Sequence, residues 1–148
     1  MKKSAKLVTL LLLVVMVMTV CLVGCAPKTA DDAKAKLEDK GYKVTVIDGS
    51  KAGVTIAGMQ AVITAYKTGD KNDYVSAIMF DSKESAEKYY ATFEEDYNAE
   101  REELKNEIKN EKNEDKKAKL QAAYDSMVIK KNGQWIAAGN KDGVKALF

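Results

Sequence analysis

The feature that most restricts the fold is a continuous helical pattern of about 43 residues, from Lys83 to Asp125. A straight helix of that length would measure about 65 Å at 1.5 Å per residue, whereas a domain of some 120 residues is only about 35–40 Å across. The helix must therefore project from the domain or fold back on itself. We favour a helical hairpin that turns near residues 110–115, because apolar residues stop there and the next strand must return to its sheet.

Capping and turn signals on both sides of this segment predict an antiparallel sheet. Thr29 and the two acids after it begin a helix that ends at Lys40-Gly41, and Asn132-Gly133 is a strong hairpin signal. The predicted strands cover residues 42–46, 60–67, 73–80, 127–131 and 134–138. A last short helix follows Asn140. The chain is thus predicted to adopt an α+β fold, with an antiparallel sheet of about five strands, helices on one face, and a long charged helix.

The N-terminal residues have the pattern of an export signal. Three lysines lie among the first six residues, an apolar run extends over residues 7–23, and Leu22-Val23-Gly24-Cys25 closes it. These features resemble a bacterial lipoprotein signal peptide with its lipobox. The apolar run is also close to the ~17–25 residues that span a bilayer, so an uncleaved transmembrane anchor is the alternative.

The lipobox resemblance implies cleavage before Cys25 and acylation of this residue, which would hold the chain in the bilayer on its outer, extracytoplasmic face. Two or three acyl chains, at ~0.8 kcal/mol per buried CH₂, make such attachment stable. The predicted organisation is a signal peptide at residues 1–24, a short lipidated tether at 25–29, and one extracytoplasmic domain at 30–148 with a helical arm at 83–125. Five extended residues reach about 17 Å, so the domain is expected to sit at the membrane surface.

Composition excludes several classes of function. The formal net charge is +2, and loss of the three leader lysines makes it about −1, which leaves no basic excess for binding nucleic acid. The chain has no histidine, the commonest general base and metal ligand. Metalloprotease, phosphate-loop and nucleophile-elbow motifs are absent as well. We therefore expect neither an enzyme nor a bound cofactor or metal.

Charged residues of the long helix are the first candidate for binding. An acidic row at i,i+4 spacing lies beside a basic row, and such segregation can serve a partner. The candidate partner-docking residues are Arg101, Glu103, Lys105, Glu107, Lys109 and Glu111. Two alternatives stay open, namely a solvated surface that keeps a projecting helix soluble and a weak Ca²⁺ patch, although no calcium-loop motif is present.

Aromatic residues at the turns are the second candidate. Tyr66 and Tyr74 flank the first hairpin turn and Trp135 follows the second. If the three rings are exposed and converge, they could stack on a sugar or a peptide. At strand spacing the alternative is that these rings belong to the hydrophobic core.

The domain also resembles small lipoproteins of Gram-positive bacteria, for which no activity is assigned. The similarity rests on Lys-Gly-Tyr-x-Val at 40–44, Phe-Asp-Ser-x-Glu-Ser-Ala at 80–86 before Tyr-Tyr at 89–90, and the Asn-Gly hairpin. It implies a fold and the outer face of a single membrane. Two functions are consistent with these features: a non-catalytic module that docks a membrane or envelope protein through the arm, or a lipoprotein that binds a peptide, glycan or lipid.

Overall fold

The computed structural model describes residues 25–148, so the predicted signal peptide lies outside the described residues. Within this range the chain forms five strands and four α-helices. In chain order they are α1 (Ala30–Asp39), β1 (Tyr42–Asp48), β2 (Met59–Lys67), β3 (Asp70–Phe80), α2 (Lys83–Asn110), α3 (Glu114–Ser126), β4 (Met127–Asn132), β5 (Trp135–Asn140) and α4 (Lys141–Leu147). A short 3₁₀ turn, Gly49–Lys51, begins the irregular loop between β1 and β2.

The five strands form one antiparallel sheet in the order β1-β2-β3-β5-β4. This arrangement confirms the predicted α+β class and the strand number. The turn between β2 and β3 is shorter than predicted, because Lys67 pairs with Asp70 and only Thr68 and Gly69 lie between them. Gly69 has φ +91°, a conformation that glycine adopts without steric cost, and this allows the tight connection.

The C-terminal hairpin turns one residue later than predicted. Asn132 pairs with Trp135, so the two turn residues are Gly133 and Gln134. Gly133 takes φ +59° at the first turn position, where a left-handed residue matches the twist of the strands. Asn132 is therefore the last residue of β4.

Helices cover both faces of the sheet, so the prediction of helices on one face was wrong. On one face α1 and α4 enclose a core in which Leu37 and Leu147 pack around Ile63 and Trp135. On the other face the first half of α2 packs on the next residues of the same strands, including Ile136. Both faces are covered because β3 and β5 are apolar at odd and even positions alike, which is typical of strands that are buried on two sides.

The long helical segment is a hairpin, as the length argument predicted. Helix α2 ends at Asn110, and α3 begins at Glu114 after a three-residue loop. Helix α3 runs back along α2 and leads directly into β4. The 28 residues of α2 span about 42 Å at 1.5 Å per residue.

Candidate functional site

The helical hairpin extends beyond the sheet. From here on, the arm means its outer part, residues 98–126, and not the whole predicted segment 83–125. Helix α3 has 13 residues and ends where β4 begins, so the arm extends about 20 Å beyond the start of β4 at 1.5 Å per residue. The guanidinium of Arg101 lies 4.4 Å from the ring centroid of Tyr124, a cation–π contact between the two helices. Ile108 is buried near the tip, which requires α3 to cover it.

Ion pairs hold the tip of the arm together. Lys116 of α3 lies 3.4 Å from a carboxylate oxygen of Glu107 and 2.6 Å from one of Glu111. Its ammonium donates hydrogen bonds to both carboxylates, and the bond to Glu111 lowers the pKa of that carboxyl. The same bond raises the pKa of Lys116. The Asn113 side chain caps α3 by accepting from the amide of Lys116 at 2.9 Å.

These contacts divide the predicted docking residues into two groups. Arg101, Glu107 and Glu111 join the two helices, and Lys105 pairs with Glu102 on its own helix at 3.1 Å. The side chains of Glu103 and Lys109 are exposed and make no hydrogen bond or ion pair with any described residue. Of the six predicted residues, these two are therefore the ones whose charges are available to a partner.

A cleft of about 670 Å³ opens at the base of the arm, between the β2–β3 turn and the two helices. Such a volume is within the ~300–1,000 Å³ of small-molecule sites. Its lining residues combine an apolar floor with charged and polar side chains. They are Asp70, Asn72, Asp73, Tyr74, Glu100, Leu104, Lys119, Ala122, Ala123, Ser126, Met127 and Asn140.

Among the described side chains that line the cleft, carboxylates outnumber lysines, with Asp70, Asp73 and Glu100 against Lys119. The Tyr42 hydroxyl donates a hydrogen bond to Asp73 at 2.7 Å and thereby fixes this carboxylate. Burial, and next this hydrogen bond, raise the pKa of Tyr42 above its ordinary value. A cationic group would thus be favoured in the cleft on simple electrostatic grounds.

Two polar side chains close to the cleft are buried without a hydrogen-bond partner among the described residues, the hydroxyl of Tyr97 and the Nε of Arg101. Burial raises the pKa of Tyr97, and the charge of Arg101 opposes that rise. Tyr97 lies near Tyr74 and Tyr124. The arm therefore joins the sheet through a tyrosine–arginine cluster rather than an apolar core alone.

The three aromatic residues predicted to bind a ligand do not form one site. Tyr66 and Tyr74 are opposite each other on β2 and β3 and are 47% and 37% exposed. Trp135 is 0% exposed, belongs to the core on the opposite face, and cannot reach them. Its placement with Tyr66 and Tyr74 was wrong. The uninterrupted apolar run Trp135–Gly139 was the available signal, since it is typical of a strand covered on both faces.

The segment predicted to be a free tether is docked on the domain. Pro27 is buried, and its carbonyl oxygen accepts a hydrogen bond from the Trp135 indole at 2.6 Å. The side-chain amide of Gln134 donates a hydrogen bond to the backbone carbonyl of Lys28 at 3.0 Å. Ala26 packs against the core. Cys25, the predicted acylation site, is exposed.

Apart from Tyr74, the cleft residues were missed by the sequence analysis. Asp70 and Asn72 were interpreted as turn residues only, and Glu100 and Lys119 were not singled out. No spacing pattern joins them, because they come from a turn and from two helices that meet only in the folded chain. The sequence signal was limited to the predicted hairpin, which brings Glu100 and Leu104 of α2 and the second half of α3 beside the β2–β3 turn.

Comparison with protein-family models, with curated proteins and with solved structures finds no match to this chain. Among residues 25–148, no helix is both long and apolar enough to cross a membrane. The same range contains no group of three or more acidic or cysteine side chains placed to share a metal ion.

Proposed function

We propose that this chain is a membrane-anchored extracytoplasmic lipoprotein that acts as a non-catalytic interaction module. In this proposal acylated Cys25 anchors it in the bilayer, and the arm docks a membrane or envelope protein. The observation that carries the proposal is the arm itself, which extends about 20 Å beyond the start of β4, while its own contacts leave Glu103 and Lys109 without a partner among the described residues.

The internal contacts of the arm support a docking role over that of a solvated tip. A helix that only solubilises the domain needs no second helix to brace it, whereas the arm has a cation–π contact, two ion pairs to Lys116 and a buried Ile108. Because these contacts already restrict the arm, it loses less conformational entropy when it binds a partner. A stiff projection with unpaired charges of both signs is suited to a partner with complementary charges.

The test is photo-crosslinking in cells from positions 103 and 109, with the adducts identified by mass spectrometry. One dominant protein adduct at both positions is the expected result. The same crosslinker at Lys34, which is on α1 and away from the arm, is the positional control. Two results would contradict the proposal. In the first, this chain is present at the membrane but gives no adduct from positions 103 and 109. In the second, the control position 34 gives the same adducts as the arm.

Two variants test the arm. Replacing residues 104–120 with a short glycine-containing turn removes the outer part of the arm, retains Arg101 and Tyr124, and should abolish the adduct formed from position 103. The swap Glu103→Lys with Lys109→Glu reverses the exposed charges and should weaken capture strongly. Its matched control is the swap Asp39→Lys with Lys40→Asp at the exposed end of α1, which should leave capture unchanged.

The cleft supports a second candidate function, the binding of a peptide through a basic side chain. Its volume of about 670 Å³, and the three carboxylates against one lysine among its described lining residues, favour a cation, and the exposed Tyr74 ring offers a surface for a cation–π contact. Calorimetric titration with a short arginine-rich peptide tests it. Binding that falls for Glu100→Gln and persists for the remote control Asp39→Asn supports this function, whereas equal loss in both variants, or no heat at all, argues against it.

A further inference from the structure

The anchor segment is fixed to one end of the sheet. Three contacts hold residues 26–28: the indole of Trp135 to the Pro27 carbonyl at 2.6 Å, the Gln134 amide to the Lys28 carbonyl at 3.0 Å, and the packing of Ala26 beside Gly133. Cys25 is only two residues from buried Pro27, so its Cα lies within about 7 Å of that fixed point.

The end of the sheet that holds the anchor can be traced by hydrogen bonds. The amide of Phe80, at the end of β3, donates to the carbonyl of Gln134 at 2.8 Å, and the next amide, that of Asp81, donates to the carbonyl of Gly58 at 2.7 Å. The β4–β5 turn, the start of α2 and the loop of residues 49–58 thus lie together. We call this end the anchor pole.

The arm is at the opposite end of the sheet. Helix α2 begins just after β3 ends, at the anchor pole, and runs along the sheet for its 28 residues. Its far end is therefore about 42 Å from its start at 1.5 Å per residue. Met127, which follows α3, pairs with Asn140 at the end of β5 farthest from the β4–β5 turn, so the base of the arm is at the far end as well.

From these positions we infer that the bilayer is the partner of the anchor pole, and that the domain stands on the membrane in one orientation with the arm directed away from the lipid by about 40 Å. This inference rests on the proposed anchoring at Cys25. A free five-residue tether would have allowed many orientations, but the docked segment removes that freedom. The partner of the arm would accordingly be a protein that presents its surface far above the headgroups.

Two further features agree with contact between the anchor pole and a lipid surface. Val54, in the loop of this pole, is 59% exposed, and an apolar side chain there can enter the headgroup region. Exposed charges of the pole have both signs: Lys28, Lys51, Lys83, Lys88, Asp48, Asp81, Glu84 and Glu87. The orientation is therefore set by the docked anchor rather than by attraction to anionic lipid, and should be the same on neutral and anionic vesicles.

Spin labels measure the orientation directly. The full chain is produced in bacteria in a Cys21→Ala background, purified from membranes, and carries one added cysteine, Val54→Cys or Lys109→Cys, both at exposed positions. Each protein is reconstituted into phosphatidylcholine vesicles that contain a nickel-chelating lipid, with and without phosphatidylglycerol. Headgroup nickel should relax the nitroxide at position 54 strongly and leave the one at position 109 at the level of nickel-free vesicles.

A linker variant provides the matched control. About ten glycine and serine residues inserted after Cys25 add roughly 17 Å of flexible reach and keep the fold and the anchor, so the contrast between positions 54 and 109 should shrink. Equal relaxation at both positions in the parent protein, or stronger relaxation at 109, overturns the orientation alone. A chain absent from the membrane fraction overturns both the anchoring proposal and the orientation that rests on it.

Discussion

Replacement of Trp135 by phenylalanine is the sharpest test of how the anchor segment is held. The change removes the indole N–H that donates to the Pro27 carbonyl at 2.6 Å, in a position that is 0% exposed. A buried carbonyl without its donor costs about 1–3 kcal/mol. The lost ring leaves a void of about 40 Å³, which at about 24 cal/mol per Å³ costs about 1 kcal/mol more.

The expected loss is thus about 2–4 kcal/mol in the free energy of unfolding, which is large beside the 5–15 kcal/mol of a typical domain. Urea unfolding followed by circular dichroism measures it, with an unchanged slope against denaturant as the sign of an unchanged fold. For a domain of this size, each kcal/mol of lost unfolding free energy lowers the melting temperature by about 3–5 °C. The melting temperature of the variant should therefore fall by about 10 °C.

Two controls separate the hydrogen bond from the packing. Benzothienylalanine at position 135 keeps the shape of the ring and lacks the N–H, so it should lose only the first contribution. Gln134→Ala removes the exposed bond to Lys28 and should cost at most about 1 kcal/mol. If benzothienylalanine is as stable as tryptophan, the bond to Pro27 does not hold the segment and the reasoning is refuted.

Three other predictions follow from contacts in the fold and the arm. Tyr42→Phe should cost about 1–2 kcal/mol in urea unfolding, because it removes the 2.7 Å hydrogen bond to Asp73; an unchanged midpoint would contradict it. Gly139→Ala should cost about 2–3 kcal/mol, since φ is +155° and the added Cβ would overlap the Tyr74 carbonyl. Gly53→Ala, at φ +77° with open space around it, isolates the backbone contribution and should cost about 1 kcal/mol. The pKa of Glu111, measured by carboxyl NMR, should lie below its ordinary value of 4.5. If the pKa of Glu111 is the same in the Lys116→Met variant, Lys116 is not the cause of the shift.

The sign of the Glu111 effect is defined by its lowered pKa. A carboxyl with a depressed pKa in the folded chain stabilises the folded form above its ordinary pKa, and this contribution disappears as the pH falls through the lower, folded value. The tip of the arm should therefore loosen on acidification from pH 4.5 downward, while the sheet stays intact. Amide exchange near Asn113, compared with amides of β3, measures the difference.

The helical hairpin was predictable because the prediction rested mainly on the length of the helical segment compared with the size of the domain. A helical pattern too long for the domain, an apolar gap and a strand that must return leave a hairpin as the economical solution, and α2 ends at Asn110, within the predicted turn. The sheet was predictable for a similar reason, since glycine and asparagine mark its turns locally. The errors of three residues at the Gly69 turn and one residue at the Gly133 turn reflect which turn position takes the left-handed conformation.

The candidate site was less predictable, because burial and convergence depend on tertiary contacts. Trp135 follows a turn in the sequence and was a reasonable surface residue, yet the N-terminal segment and two helices enclose it. Arg101 and Glu111 were assigned to docking although they hold α3, which no pattern within α2 could show. The cleft brings Asp73 and Lys119 together across 46 positions of the sequence, and no local signal contains that information.

The bond between Trp135 and Pro27 also determines when the anchor segment can be seated during folding. Its two residues are 108 positions apart, and contacts between distant residues form late because a long loop must close first. The donor comes from the last hairpin of the chain, so an emerging polypeptide carries its N-terminal segment undocked until β4 and β5 have paired. A chain that stops before Trp135 would keep residues 25–28 and lack the contact that seats them on the sheet.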